Sequence, residues 1–331
     1  MLYDPSITPS RAPAQRSAIA ATAVVGAALF LLAPTAIALM KRARRAPGEP
    51  NPAPARPDQP TVRAARRLNR AAGLLACSVL ADSAIEHYRG SFQNKAMFTP
   101  LLTSSLTIAV SAHGTADARP SAHAARDAVY ALAAATGAVG AGFHFYNVSK
   151  RPGGFIWQNL FYGAPLGAPV AMLFAGLFGF YSERVRDNEP GRPPTVFDIP
   201  AGRGMAGLTA LGLIGTSGEA GLLHFRGAFH NPFMLLPVTL PPLAALLMCE
   251  TAASPRRRDR RFARWWLRST AAMGLGGVAL HAYGVSRAMG GWRNWSQNVL
   301  DGPPLPAPPS FCGMALAGLA ALGLLEDHPD A

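Results

Sequence analysis

The stretch "HYRGSFQN" at residues 87–94 returns almost unchanged as "HFRGAFHN" at residues 224–231. Sliding the chain against itself by 137 residues places His87, Arg89, Gly90, Phe92, Asn94, Met97 and Pro100 on His224, Arg226, Gly227, Phe229, Asn231, Met234 and Pro237. Asp82 falls on Glu219, so the acid is kept. The same offset sets "HFYNVSKRPGG" at 144–154 on "HAYGVSRAMGG" at 281–291, with Lys150 on Arg287. After a two-residue insertion, "QNLFYGAPLGAP" at 158–169 meets "QNVLDGPPLPAP" at 297–308. One offset across separated motifs points to a tandem duplication.

What surrounds these motifs sets the fold class. Half of the 331 residues are hydrophobic and only 15% are charged, where a soluble chain carries about 25%. Nine apolar stretches approach the roughly 20 residues needed to cross hydrocarbon: 17–40, 70–88, 97–113, 127–147, 164–182, 204–224, 233–253, 269–287 and 305–325. The reading is an all-α polytopic membrane protein of about nine transmembrane helices. It divides into an N-terminal segment and anchor (1–40), a Pro/Arg-rich linker (41–69), a four-helix repeat (70–182), a second linker (183–203), a second four-helix repeat (204–325) and a tail (326–331). Four spans per repeat give both repeats the same polarity, the parallel-repeat plan.

Lys and Arg set the orientation. Segments 41–70, 113–126, 183–203 and 254–268 hold 22 of them, and the alternate loops 89–96, 148–163, 225–232 and 287–304 hold 7. The positive-inside rule makes the first set cytoplasmic, with the N-terminus outside and the C-terminus inside. The net charge of +13 then orients helices and implies no nucleic-acid partner. The partner expected is the lipid bilayer, with membrane or periplasmic proteins beyond it. The predominance of Arg over Lys suits a GC-rich genome and a bacterial inner membrane. Cys77, Cys249 and Cys312 are far apart with no CxxC spacing, which gives no support to a disulfide framework, an iron–sulfur site or a zinc ribbon.

All retained motifs then converge on the extracytoplasmic face. His87, His144, His224 and His281 end the first and third helices of each repeat. These helices are diagonal in an up-down bundle, and neutral imidazole is a common metal and haem ligand. A histidine at a helix end is also an ordinary interfacial residue. Two per unit in matching places favour a site. Pairing His87 with His144 and His224 with His281 resembles, in architecture alone, the bis-histidine b-type cytochromes of membranes. That resemblance implies haem b, with Arg89, Lys150, Arg226 and Arg287 placed to hold propionates.

Asp82 and Glu219 are intramembrane acids, functional candidates by default. They could join the histidines around a metal ion, or Asp82 could pair with Arg89 two turns away. Asn94, Gln158, Asn159, Asn231, Gln297 and Asn298 supply amides that either bind a ligand or cap backbone. Trp157, Trp292 and Trp295 suit an aromatic belt, and Ala133, Gly137 and Ala141 form a small-residue stripe for close helix packing. No HExxH, ExxH, Walker loop or Ser-His-Asp order stands in a credible context. The functional expectation is ligand binding or redox chemistry with haem b, a metal or a quinone. A small-molecule transporter and a non-catalytic assembly or scaffold subunit are the alternatives. Catalytic residues are unassigned.

Overall fold

The computed structural model describes residues 59–163, 165–189, 192–254 and 260–328. The expected anchor at 17–40 lies outside the described residues, as does most of the first linker. Ten α-helices carry the described chain: α1 (Pro60–Arg89), α2 (Thr99–Ala116), α3 (Ala124–Ser149), α4 (Trp157–Tyr162), α5 (Gly167–Arg186), α6 (Ala201–Arg226), α7 (Leu240–Ala253), α8 (Arg261–Arg287), α9 (Trp295–Asp301) and α10 (Pro309–Asp327). A two-residue antiparallel ladder, Thr195–Val196 with Ile199–Pro200, is the β-structure among the described residues. Four segments are long and apolar enough to cross a membrane: Pro60–Arg89, Ala124–Ser149, Pro232–Ala253 and Pro309–Asp327.

α1 shows why its boundary differs from the hydropathy reading. Pro60 sits in the first turn, where its missing N–H costs nothing and its φ is preset. The helix therefore starts ten residues before the expected span at 70, inside the segment read as an extended linker. Its Arg-rich first turns depress hydropathy but not helix propensity. Val62, Ala65, Leu68, Ala72, Leu75 and Val79 recur at helical spacing and are buried. At 30 residues the helix is about 45 Å long, enough to cross hydrocarbon and extend beyond it. The expected span at 233–253 is broken differently. Pro232–Val238 winds as a 3₁₀ turn with Pro237 inside it, and α7 begins only at Leu240, because proline cannot supply the amide that a continuous helix needs.

In the first half, α1 packs on α2 and α5, and α3 on α2 and α5. In the second half, α6 packs on α7 and α10, and α8 on α7 and α10. The halves meet through α1 against α10 and α5 against α6, so α1, α5, α6 and α10 enclose the main core. Glycine sets the closest crossings. A Cβ at Gly137 of α3 would lie 2.6 Å from Pro169 O of α5, and one at Gly274 of α8 would lie 2.9 Å from the O of Pro308, which caps α10. Only a bare backbone allows such an approach. The C-terminal ends of α1, α3, α6 and α8 thus gather at one end of the bundle, called here the motif end.

Candidate functional site

The motif end is built by two turns that repeat bond for bond. After α1, Ser91 N–H donates to Tyr88 O and Phe92 N–H to His87 O, with φ of 56° at Ser91 and 45° at Phe92. After α6, Ala228 N–H donates to Phe225 O and Phe229 N–H to His224 O, with φ of 55° and 46°. Left-handed backbone at non-glycine residues costs of order 1–3 kcal/mol each. That strain swings Phe92 edge-on to His87 at 6.2 Å between centroids, and Phe229 edge-on to His224 at 6.1 Å. Asn94 Oδ1 then accepts the Ala96 N–H at 2.9 Å, and Asn231 Oδ1 the Phe233 N–H at 3.0 Å. These caps start the 3₁₀ turns whose carbonyls face the imidazoles. His87 Nδ1 bonds Met97 O at 2.6 Å and His224 Nδ1 bonds Met234 O at 2.8 Å.

The third helices repeat the device. His144 Nδ1 bonds Pro165 O, and His281 Nδ1 bonds Pro304 O at 2.8 Å. A carbonyl only accepts, so all four Nδ1 atoms donate, and each neutral ring carries its lone pair on Nε2. Asn159 Nδ2 donates to Pro152 O and Gly154 O at 2.9 and 2.7 Å. Asn298 Nδ2 donates to Met289 O and Gly291 O at 3.2 and 2.8 Å. These four carbonyls belong to the glycine turns after α3 and α8, where Gly154 and Gly291 have φ of 61° and 51°.

The structure brings His224 and His281 to 6.4 Å between ring centroids, at 72°. Most of the other expected ligand groups are engaged locally. Asn94, Asn159, Asn231 and Asn298 hold backbone in the bonds above. Gln297 Oε1 accepts from Asn294 Nδ2 at 3.0 Å, and Gln158 is exposed. The expected pairing of Asp82 with Arg89 gives way to a nearer partner, since Arg89 bonds Glu86 at 2.9 Å, one turn away. Lys150 lies over the Tyr146 ring and Arg226 over Tyr162, while Arg287 is exposed.

A metal centre joining Asp82 and Glu219 to the histidines is not assembled: the described residues hold no group of three or more His, Cys, Asp or Glu placed for an ion. Glu219 instead accepts the Gly167 N–H at 3.0 Å, at the first turn of α5. That amide end of a helix suits a carboxylate.

The opposite end holds a cluster that the sequence reading missed. Arg126 forks onto Glu183 at 2.8 and 3.0 Å and reaches Asp117 at 2.8 Å. Arg186 donates to Gly114 O, Asp117 O and Arg119 O at 2.8, 2.7 and 2.9 Å, meeting the negative end of α2. Arg184 pairs with Asp127. Asn69, Tyr130, Ser111 and Ser182 continue the network inward. Arg126, Asp127, Glu183 and Arg186 are all fully buried. Burial alone would raise the Asp117 carboxyl, but hydrogen bonds from Arg119 and Arg126 outweigh it and hold the group well below the usual carboxylate range. Each buried guanidinium meets a carboxylate or helix carbonyls, so this cluster is a closure of the bundle rather than a reactive site.

Comparison with protein-family models, curated proteins and solved structures gives no match to this chain.

Proposed function

We propose that this is a bacterial inner-membrane protein of nine spans, an anchor followed by two parallel four-helix repeats, whose extracytoplasmic rim binds one metal ion between each imidazole pair. The carrying observation is the treatment of four histidines in one way: Nδ1 tied to a backbone carbonyl, which in a neutral imidazole leaves the lone pair on Nε2. Coordinating histidines are held in this manner, tautomer and ring direction fixed by a bond at the other nitrogen. At His87 and His224 the phenyl edge set by a strained turn adds a second restraint.

Distance supports an ion between the better-defined pair. Two metal–nitrogen bonds of about 2.0 Å put the nitrogens roughly 4 Å apart, within reach of rings centred 6.4 Å apart. Two protein ligands leave positions open, which suits exchange or redox turnover more than a closed structural ion. Imidazole favours copper or zinc among the common ions.

Haem b fits less well. A macrocycle needs a flat apolar slot at the imidazoles. One open pocket of about 430 Å³ lies between α4 and α6, and none of its lining residues is a histidine. Arg89, a candidate for a propionate, already serves Glu86.

The test separates ligation from the clamp that Nδ1 provides. His224→Asn and His281→Asn keep an N–H near the Nδ1 position and lack Nε2. Full-length protein in detergent is titrated with Cu(I), Zn(II) and haemin, with metal content and visible spectra recorded. Wild type is expected to take one ion per pair, and the double variant half as many, with an unchanged melting temperature. Binding no tighter than that of a variant lacking all four Nε2 atoms would end the proposal.

A further inference from the structure

The pocket between α4 and α6 carries an inference independent of the histidines. Its walls are Trp157 and Leu160 on one side and Gly218, Gly221, Leu222 and Phe225 on the other. Every lining group is apolar or bare backbone. A Cβ added at Gly218 would meet nothing within 4 Å, and the same holds one turn earlier at Gly215. Leu211 and Ile214 extend this strip along α6 and are 68% and 52% exposed. The result is an apolar groove down a helix whose rim residues reach the motif end.

The groove belongs to one side of the molecule. Gly218 and Gly221 match Ala81 and Ala84 of α1. Methyl groups therefore occupy on α1 the space that α6 leaves open. At the mouth of the groove two guanidiniums meet one tyrosine. Arg151 donates to Tyr162 O at 3.0 Å, and Arg226 lies 5.3 Å from the Tyr162 ring centroid. Apolar length ending in paired positive charge is complementary to an amphiphile with a long chain and an anionic head.

We propose that this groove holds an acyl chain of an anionic phospholipid, with its phosphate at Arg151 and Arg226. A helix strip lined by glycine lets a methylene chain lie against backbone, where dispersion contacts accumulate. Trp157 and Phe225 bracket the chain near the headgroup, the depth that aromatic residues favour. The arginines select the head: an anionic phosphate gains from them and a zwitterionic one gains less.

Trp157 also supplies the readout. Full-length protein is reconstituted in phosphatidylcholine vesicles containing a minor fraction of brominated-chain lipid, either phosphatidylglycerol or phosphatidylcholine, and tryptophan quenching is compared. Brominated phosphatidylglycerol is expected to quench at least twofold more than brominated phosphatidylcholine at equal mole fraction. Trp157→Phe should remove that excess. Gly218→Leu should remove it by filling the groove, and Arg151→Ala with Arg226→Ala should bring both lipids to the same level. Gly276→Leu, on α8 where added atoms also meet nothing within 4 Å, should leave the excess intact and so controls for folding. Equal quenching by the two lipids in the wild type overturns the proposal. So does an excess that survives Gly218→Leu, or one that decylubiquinone displaces while added phosphatidylglycerol does not. None of these outcomes depends on the imidazole pairs.

Discussion

At the motif end the two halves of the chain hold their imidazoles, asparagine amides and strained turns by the same bonds. At the opposite end they close the bundle with different chemistry. Where the first half buries Arg126, Tyr130, Ser182, Glu183 and Arg186, the matching positions of the second half bury Ala263, Leu267, Ala321, Leu322 and Leu325. Among the described residues there, Arg264 pairs with Glu326 at the surface, and the polarity of that pair between helices is the reverse of Asp127 with Arg184. The interfaces between halves diverge as well. Leu75 of α1 packs over Gly313 of α10, whereas Gly212 of α6, matching Leu75, lies under Met314 and faces Phe174, which matches Gly313. Large and small have changed sides. This helical frame therefore accepts very different cores, and packing alone does not explain why four imidazoles, their carbonyl partners and two strained turns are held alike.

The comparison breaks most sharply at Glu183. Replacing it with the residue of the other half, Glu183→Leu, leaves Arg126 and Arg186 buried without their carboxylate, which costs about 3–5 kcal/mol. Transplanting the whole solution, Asp117→Ser, Arg126→Ala, Glu183→Leu and Arg186→Leu, is expected to recover nearly all of that loss, since an apolar set in place of a buried ionic one is commonly neutral or better. Thermal unfolding in detergent reads both. A single variant as benign as the quadruple one would mean that the network is not the closure described above.

Asp117 distinguishes the ends by pH. Its folded-state pKa is depressed, so its contribution to stability is present above the unfolded value of about 3.9 and is lost as pH falls through the lower folded value. Ser254, the matching residue, does not titrate in that range. Hydrogen exchange, corrected for intrinsic rates, should show residues 114–126 losing protection below pH 4 while residues 240–253 keep theirs. Asp117→Asn should lower protection of 114–126 at neutral pH and remove the acid dependence. Parallel loss in both segments would assign the effect to the whole bundle.

How much of this was legible in the sequence follows from the same contrast. The motif end was visible because its residues lie in short contiguous runs that recur at one offset. The roles of Asn94, Asn159, Asn231 and Asn298 were not, because an amide that holds its own turn looks the same in sequence as one that holds a ligand. The opposite end was hidden. Asp117, Arg126, Glu183 and Arg186 come from three separated segments, and each fell just outside an apolar window. The two arginines were counted as loop charges, and the two acids entered no count. The available signal was the acids: Asp127 and Glu183 adjoin arginines at span edges, and acids have no part in orienting helices. The helix starts at Pro60 and Arg261 were missed for the same reason, since arginine ends a hydropathy window without ending a helix.

The smallest expected effect bears on why the motif end is held constant. Ala228 and Ser91 occupy left-handed backbone, which glycine adopts without steric cost. Ala228→Gly and Ser91→Gly should therefore each stabilise the protein by up to about 1 kcal/mol, and by equal amounts if the two turns are the same device. Stability alone favours glycine at both positions, yet neither copy has it. A side chain there narrows the turn to the conformation that places Phe229 against His224 and Phe92 against His87. Glycine should loosen that placement, so the better-folded variants should bind the metal ion less tightly. Titration of each variant with Cu(I) beside its melting temperature reads the two effects together. If stability and affinity rise together, the strain serves something other than the imidazoles.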